Sequence, residues 1–246
     1  MLLRVRACVL DMDDTVNRTS EAMDIGLRAG VEALWPALSS PLRTEAVRRY
    51  VVDEAGWFER FSTGRIGFRE MRRGRLDALA AELGTEVDDS QFGCFEQVYR
   101  DAFERSCRAY EDALRLIGQA SAAGVPIAVL SNSAEHMTRM KVNRLGLQDS
   151  FAAVFSCDQL PAGKPDPGAY RAVCQTLGCD PGEVGYVDDL YRDARGASLA
   201  GLSAIWVDRR AEGRRAGDDG QGSVIRVTSL DEIGLERGPA CRAEAG

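Results

Sequence analysis

The sequence predicts an α/β protein with a Rossmann-like core, a parallel sheet with helices on both faces, and an inserted all-helical module. Two observations indicate this fold. From residue 110 onward, short apolar strands alternate with amphipathic helices, and uninterrupted apolar strands are typical of a parallel sheet covered on both faces. Between residues 16 and 105 the sequence shows helical periodicity and no convincing strand.

The core elements follow one another in a regular order, beginning with the apolar strand Val5–Leu10. Beyond the insertion, we expect helices over 111–123, 134–145, 167–177 and 191–200, and strands over 125–130, 153–155, 184–187 and 204–207. A glycine follows each of these four helices, as is typical of helix C-terminal caps. An edge strand over 224–227 and a short helix over 229–233 complete the core.

The inserted module has helical periodicity over 22–34, 44–54, 68–83 and 91–107, interrupted by prolines and glycines. We therefore expect a core formed by residues 1–15 and 106–234, a helical module over 16–105 and a disordered tail over 235–246. Residues 209–222 read as a charged, glycine-rich loop.

Composition narrows the class of protein. The chain has 246 residues and a formal net charge of −7, which argues against a nucleic-acid-binding surface. No apolar run is long enough to cross a membrane, and the N-terminal stretch lacks the features of a secretory signal. Seven cysteines without CxxC or Cys/His clustering favour neither a disulfide framework nor a zinc site. These features predict a cytoplasmic protein.

Nearly all basic residues of the chain are arginines rather than lysines. Of 31 lysines and arginines, only Lys141 and Lys164 are lysines. Where a lysine persists in such an arginine-rich chain, an ammonium group rather than a guanidinium can be required. We apply this argument to Lys164.

Polar residues follow the predicted strands at four places. The first strand runs into Asp11-Met12-Asp13-Asp14-Thr15, and the second ends in Ser131-Asn132-Ser133. A later loop carries Lys164, and the fourth strand ends in Asp188-Asp189, with Asp193 four residues on. Because ligands of such sheets bind at the carboxyl ends of the strands, we expect one site to gather all four.

This set of groups predicts phosphoryl transfer with Mg²⁺, a cation that prefers oxygen ligands and uses one or two carboxylates. Asp11 and Asp189 supply carboxylates, Ser131 and Lys164 orient the phosphate, and the helix beginning near Ser133 directs N–H groups at the same anion. Asp11 can attack phosphorus to form an aspartyl-phosphate. Asp13 can protonate the leaving oxygen and later deprotonate water.

These motifs resemble the haloacid dehalogenase superfamily, whose signature is DxDx[TV], a strand-end Ser or Thr, a Lys, and paired acidic residues. The resemblance extends from Val5 to about Val207, and the run GKPDPGAY…VGYVDD…RDARGASLAGLSAIWV is similar to its phosphatase branch. The inserted helices resemble that family's helical cap, with STGRIGFREM similar to a recurring cap segment.

The resemblance implies roles for individual residues. Asp11 is the nucleophile, Asp13 the acid/base, and Ser131, Asn132 (through its backbone amide) and Lys164 bind phosphate. Asp11, Asp189 and the backbone carbonyl of Asp13 bind Mg²⁺. Two positions depart from the common pattern: Asp14 and Asp188 both stand where glycine is commonest, and Asp188 becomes a possible extra metal ligand. Asp193 and Thr15 are expected to support these groups without binding the metal directly, and Asp193 is expected to orient Lys164.

Candidate substrate contacts in and near the cap are Asn17 and Arg18, where the chain enters it, and Arg65, in an inter-helix turn. We interpret the other arginines of the run around residues 60–75 as a solvated charged face, since runs of charge usually are. They are Arg60, Arg69, Arg72, Arg73 and Arg75.

Among the family's reactions, hydrolysis of a small phosphate monoester (a sugar phosphate, phospho-acid or nucleotide) fits these residues best. A haloacid dehalogenase needs neither Asp13 nor a metal, and a phosphonatase needs a cap lysine, which residues 16–105 lack. Two alternatives remain: a phosphotransferase or phosphomutase on the same scaffold, and a non-catalytic phosphometabolite-binding protein. No nucleic-acid or membrane partner is expected, and the sequence does not distinguish monomer from homodimer.

Overall fold

The computed structural model describes residues 1–209 and 223–239. The chain divides into two compact units, one formed by residues 1–17 together with the chain from Ala109 onward, and the other by residues 18–108. The first unit is the α/β core, and the regular elements of the second are helices joined by short loops. Within the described part of the chain, none of the helices combines the length and apolar character needed to cross a membrane.

The strands of the α/β core are β1 (Leu2–Val5), β2 (Ala7–Leu10), β3 (Ile127–Ser131), β4 (Ala153–Ser156), β5 (Val184–Asp188), β6 (Ser203–Val207), β7 (Val224–Val227) and β8 (Gly234–Arg237). Six of them form a parallel sheet in the order β4-β3-β2-β5-β6-β7. From β2 the chain runs outward through β3 to β4, and it then returns to β5 on the other side of β2. The carboxyl end of β2 is therefore the point where binding sites form in such sheets.

The helices of the helical unit are α1 (Thr19–Leu34), α2 (Ser40–Val52), α3 (Trp57–Ser62), α4 (Phe68–Glu82) and α5 (Asp89–Ser106). Those of the core are α6 (Glu111–Ala123), α7 (Glu135–Arg144), α8 (Pro167–Leu177) and α9 (Tyr191–Leu199). Single 3₁₀ turns lie at Cys157–Gln159, Pro181–Glu183 and Leu230–Glu232.

Side chains alternate between the two faces of the six-stranded sheet. Cys8 and Leu10 of β2 join an apolar cluster with α6 and α7, whereas Val9 joins another with α8 and α9. Each face of β2 is therefore covered by helices, and every residue of this strand is buried. This arrangement confirms the predicted fold class.

Several elements differ from the expected ones. The first strand is interrupted at Arg6, where the backbone N–H donates to the carbonyl of Glu183 (2.8 Å), so that β1 leaves the main sheet. β1 instead pairs with β8 in a separate two-stranded parallel sheet. Of the two, β2 belongs to the six-stranded sheet, where it pairs with β3 and β5 and is buried on both faces, whereas the residues of β1 alternate between exposed and buried.

The prediction of a disordered tail from residue 235 is wrong as far as Arg237, because β8 pairs with β1 and buries Leu235 in the core cluster. Residues 240–246 lie outside the described residues, as do residues 210–222 of the predicted charged loop. The helix expected over 229–233 is one 3₁₀ turn, in which the Ser229 hydroxyl accepts from the N–H of Asp231.

In the helical unit, sequence periodicity missed α3, which has only six residues. It begins after Gly56, at φ 68°, and the Asp53 carboxylate accepts hydrogen bonds from the first two N–H groups, those of Trp57 and Phe58. A local side-chain cap of this kind can start a helix too short for its periodicity to be visible.

Two of the cap arginines do not belong to a solvated face. Arg72 is buried, donates twice to the Glu96 carboxylate (2.7 and 3.0 Å) and lies 3.9 Å from the ring centre of Tyr99. Arg75 is also buried and donates to the carbonyl of Tyr50 (3.1 Å). Their interpretation as surface charge is wrong, because aromatic rings and a carboxylate inside the unit stabilise them.

Candidate active site

The ends of three neighbouring strands bring the predicted site residues together. Leu10 pairs with Val129 of β3 and with Val187 of β5, so the next residue, Asp11, follows β2 between the ends of both neighbours. Its N–H donates to the Val187 carbonyl (2.9 Å), which continues the pairing of β2 with β5. Ser131 and Asp188 are the last residues of β3 and β5, as the motif spacing predicts.

Lys164 reaches this edge of the sheet from the loop before α8. Its Nζ lies 2.6 Å from Oδ1 of Asp11 and 2.8 Å from Oδ2 of Asp188, and all three side chains are buried. Asp193 is farther away, with Oδ2 4.0 Å from the same Nζ. The side-chain amide of Asn132 donates to the Lys164 carbonyl and accepts from its N–H, which positions the loop.

Asp188 is held by several donors at once. Besides Lys164, the Tyr186 hydroxyl donates to Oδ2, and the N–H of Leu190 donates to Oδ1 (2.8 Å). Both of its oxygens therefore already have partners. Asp189 is partly exposed, and hydrogen bonds fix its backbone: its N–H donates to Thr15 Oγ1 (3.0 Å) and its carbonyl accepts from Trp206 Nε1 (2.8 Å).

The acidic groups repel one another. Burial raises the pKa of Asp11 well above its usual range, against the attraction of Lys164, and the charges of Asp188 and Asp13 raise it further. Burial, followed by the charges of Asp11 and Asp188, raises the pKa of Asp189 to about 9. The carboxylates more than offset the effect of burial on Lys164, so its pKa is raised and it stays charged. The single ammonium group of Lys164 thus faces three carboxylates, those of Asp11, Asp188 and Asp193.

These residues fit a divalent cation. A carboxylate oxygen from each of Asp11, Asp188 and Asp189 lies within 4.8 Å of the others. Oδ2 of Asp11 is buried and has no hydrogen-bond partner among the described residues. An unpartnered buried carboxylate oxygen costs free energy unless a cation or a reacting group occupies the space beside it. Asp11 and Asp189 are the better placed direct ligands, since both oxygens of Asp188 are hydrogen-bonded.

Asp13 lies in a different environment from Asp11. Its side chain is 27% exposed, against 6% for Asp11. Oδ2 accepts from the hydroxyls of Ser131 (3.0 Å) and Ser133 (2.8 Å), and Oδ1 accepts from the ammonium of Lys141. Ser131, predicted to bind phosphate, thus donates to Asp13 here.

Lys141 is the residue of this site that the sequence interpretation missed. It is 1% exposed, and its Nζ donates to the Asp13 carboxylate and to Ser133 Oγ (3.0 Å). The scarcity of lysine that singled out Lys164 applies equally to Lys141, so this signal was available. Both lysines of the chain bind carboxylates of the DMDDT segment.

The helix after β3 begins two residues later than Ser133, at Glu135. The N–H of Glu135 donates to the Asp158 carboxylate (3.0 Å) and is therefore not directed at an anion beside Ser131. The N–H of Ser133 instead donates to Ser131 Oγ (3.0 Å), which orients that hydroxyl.

Arg209 supports the segment that carries Asp11 and Asp13. Its guanidinium donates to the carbonyls of Asp14 (3.0 Å) and Thr15 (2.8 Å) and to the carboxylate of Asp112 (2.9 Å), and it lies 3.6 Å from the Tyr110 ring centre. Asp14 has a φ of 58°, in the left-handed region, which explains why glycine would be suited to this position. No sequence signal distinguishes Arg209 from the other arginines.

The candidate substrate residues divide between the two units. Asn17 is fully buried at the end of the first segment of the α/β core. Arg18 and Arg65 belong to the helical unit, where Arg18 pairs with Glu21 (3.1 Å) and Arg65 is exposed. Their roles in substrate binding stay predictions.

The sequence matches the family model of haloacid dehalogenase-like hydrolases over residues 5–201. It is 31% identical to a phosphoserine phosphatase of Thermus thermophilus, over 94% of this chain and 98% of that protein. It is also 28% identical to a phosphoglycolate phosphatase of Neisseria meningitidis, over 82% of this chain and 80% of that one. An (S)-2-haloacid dehalogenase of Xanthobacter autotrophicus is 33% identical over 64% of this chain and 60% of that one.

Among solved structures, the fold is similar to that of a HAD-hydrolase, YfnB, of Bacillus subtilis, with a TM-score of 0.75 and 21% identity over 94% of this chain and 97% of that one. The family match covers most of the chain, and the phosphatase similarity spans nearly all of it. This chain is therefore an enzyme of the haloacid dehalogenase-like hydrolase family.

Proposed function

We propose that this enzyme is a Mg²⁺-dependent phosphatase that hydrolyses a small phosphate monoester through an aspartyl-phosphate on Asp11. The observation that carries the proposal is the contrast between two carboxylates two residues apart. Asp11 has a buried oxygen without a hydrogen-bond partner among the described residues, as a nucleophile requires. Asp13 is partly accessible and is oriented by hydrogen bonds from Ser131, Ser133 and Lys141, which suits a group that must meet the leaving oxygen and then water.

In the first step, Oδ2 of Asp11 forms a bond to phosphorus while the bond between phosphorus and the ester oxygen breaks. Asp13 gives its proton to that oxygen, which leaves as an alcohol. In the second step, Asp13 takes a proton from water, the water oxygen bonds to phosphorus, and the bond to Asp11 breaks to release inorganic phosphate. Each step returns Asp13 to the protonation state that the other needs.

Three groups are suited to hold the transferred phosphoryl group. Lys164 carries a positive charge beside the nucleophile, and the Ser131 hydroxyl lies at the end of the adjacent strand. Asp11 and Asp189 would hold Mg²⁺, with Asp188 close behind and the carbonyl of Asp13 as a further ligand that the family resemblance suggests. When bound, the ion supplies positive charge that offsets both the carboxylates and the phosphate.

The family includes phosphatases and dehalogenases, and this chain has relatives of both kinds. Attack on a carbon–halogen bond releases a halide, which needs no proton, so the general-acid role proposed for Asp13 has no counterpart there. The acidic cluster of Asp11, Asp188 and Asp189 also favours a reaction with a cation. Both features support the phosphatase over the dehalogenase.

The relatives suggest where to look for the substrate. The names phosphoserine phosphatase and phosphoglycolate phosphatase both describe enzymes acting on small phosphorylated carboxylic acids. We propose a substrate of this class first, followed by sugar phosphates and nucleoside monophosphates. A cytoplasmic location stays a prediction.

The test is phosphate release from p-nitrophenyl phosphate and from a panel of such metabolites, with Mg²⁺ or with EDTA, by the wild type and by Asp11→Asn. We expect Mg²⁺-dependent release by the wild type and a loss of about 10⁴-fold or more in the variant, since a nucleophile is removed. Chloride release from 2-chloropropionate is assayed in parallel. If the wild type releases chloride and no phosphate, the proposal is wrong.

A further inference from the structure

Lys141 is buried at a place where packing alone would favour an apolar side chain. It lies in α7 between Thr138 and Val142, which are also buried, and Val142 belongs to the core cluster. Removing an ammonium group from water costs free energy, which a partner carboxylate must offset. Its ammonium group donates to Asp13 and to Ser133, so the cation is directed at the acid/base candidate.

The two lysines contact different carboxylates. Lys164 contacts Asp11 and Asp188, whereas Lys141 contacts Asp13. The nucleophile and the acid/base candidate therefore each have their own ammonium group. A lysine that served only to neutralise the acidic cluster would be expected beside the buried carboxylates, not beside a partly exposed one.

The contacts of Lys141 fix the direction of the Asp13 carboxyl group. Oδ1 binds the ammonium, and Oδ2 binds the hydroxyls of Ser131 and Ser133. Lys141 also donates to the hydroxyl of Ser133. Asp13, Ser133 and Lys141 are therefore each hydrogen-bonded to the other two. Loss of the ammonium would remove the hydrogen bond to Oδ1 and leave those of Ser131 and Ser133 to Oδ2.

We propose that Lys141 is a positioning residue, which holds Asp13 in the orientation that proton exchange with the leaving oxygen and with water requires. This inference rests on the proposed phosphatase activity. Misplacing a catalytic group by about 1 Å can reduce a rate on the order of 10²-fold. A variant that lacks the ammonium group of Lys141 should therefore lose rate only in reactions to which proton transfer by Asp13 contributes.

The test uses aryl phosphates of the same shape with leaving phenols of different acidity. A poor leaving group depends on protonation by Asp13, whereas p-nitrophenol leaves readily without it. We compare kcat/KM, which reports the steps up to departure of the phenol, for phenyl phosphate and p-nitrophenyl phosphate. Lys141→Met keeps the side-chain length and removes the charge. We expect it to lower kcat/KM about 10- to 100-fold for phenyl phosphate and about threefold or less for p-nitrophenyl phosphate.

Asp13→Asn should show the same preference for the better leaving group with a larger loss. In the Asp13→Asn background, Lys141→Met should change kcat/KM about twofold or less, because a residue that acts through Asp13 has nothing left to position. The control is Arg139→Met, on the same helix, whose guanidinium is exposed and pairs with Glu135 (2.7 Å). It should leave both substrates unaffected.

Equal losses for both phosphates, or losses that add in the double variant, would overturn the inference while leaving the phosphatase activity established. An inactive wild type would instead overturn the proposed function, and this inference with it. Should Lys141→Met fold poorly by thermal unfolding, Lys141→Gln is compared in the same way. Its amide keeps one donor, and we expect an intermediate dependence on the leaving group.

Discussion

Asp11 and Asp13 are separated by one residue, yet they bind different lysines and lie in different environments. Asp11 contacts Lys164, is almost fully buried and has one unpartnered oxygen among the described residues. Asp13 contacts Lys141 and two serine hydroxyls and is partly exposed. Since the two side chains leave the backbone in a segment that is no longer a strand, each meets a different part of the core.

The acidic cluster should destabilise the metal-free protein. Burial and the charges of Asp11 and Asp188 raise the pKa of Asp189 to about 9, which means that its ionised form is disfavoured. We expect Asp189→Asn to raise the thermal midpoint in EDTA by roughly 2–4 °C, corresponding to about 1 kcal/mol. Mg²⁺ should raise the midpoint of the wild type and leave that of the variant unchanged. Thermal unfolding with and without Mg²⁺ measures both, and a variant that still responds to Mg²⁺ contradicts Asp189 as a ligand.

The Asp112–Arg209 ion pair should make stability depend on pH in acid. Burial by itself raises the pKa of Asp112, but hydrogen bonds from Arg209 and from the N–H of Leu230 outweigh it, so the pKa is lowered. A carboxyl group whose pKa is lower in the folded state stabilises the protein above its unfolded pKa, about 3.9, and this contribution is lost as pH falls through the folded value. The wild type should therefore lose this contribution on acidification.

Urea unfolding of wild type and Asp112→Asn between about pH 7 and pH 2 measures this effect. We expect the variant to be less stable by about 1–3 kcal/mol near neutral pH, with the difference shrinking below about pH 4. Glu135→Gln, which removes an exposed ion pair, should change stability by less than about 1 kcal/mol. A difference between wild type and Asp112→Asn that stays constant with pH would contradict the assignment.

Arg209 should affect activity without touching substrate. It donates to the carbonyls of Asp14 and Thr15, which lie in the segment that carries both catalytic candidates. We expect Arg209→Met to lower kcat about tenfold through misplacement of that segment, and stability by about 1–3 kcal/mol. Phosphate release and urea unfolding check the two effects. Arg4→Met, which removes an exposed arginine paired with Glu236, should change neither.

Arg72 should stabilise the helical unit. Its guanidinium is 5% exposed, binds Glu96 and lies over the Tyr99 ring, so removal leaves the carboxylate without its buried partner. We expect Arg72→Met to destabilise the protein by about 2–3 kcal/mol in urea unfolding. Arg73→Met, at the next position, removes more exposed pairs with Asp77 and Asp89 and should cost less than about 1 kcal/mol. Equal losses would show that burial is not what makes Arg72 important.

Much of the fold was predictable because hydrophobic periodicity is local. The alternation of apolar strands and amphipathic helices predicts a parallel sheet, and Asp11, Ser131 and Asp188 then follow or end neighbouring strands. The strand break at Arg6 and the pairing of β1 with β8 were not predictable, since they depend on contacts with residues far away in the chain, Glu183 for Arg6 and Gly234–Arg237 for β1. The short helix α3 was too brief for its periodicity to be recognised.

The sequence by itself determined that the polar residues at the strand ends meet at the carboxyl edge of the sheet, because parallel strands place their ends side by side whatever the details of packing. Only the tertiary structure decided how those groups divide: Lys164 to Asp11, Lys141 to Asp13, and Arg209 to the backbone between Asp13 and Val16. The reason is geometric. A long basic side chain can reach several carboxylates, and which one it contacts depends on how a helix or loop far away in the chain packs against the sheet.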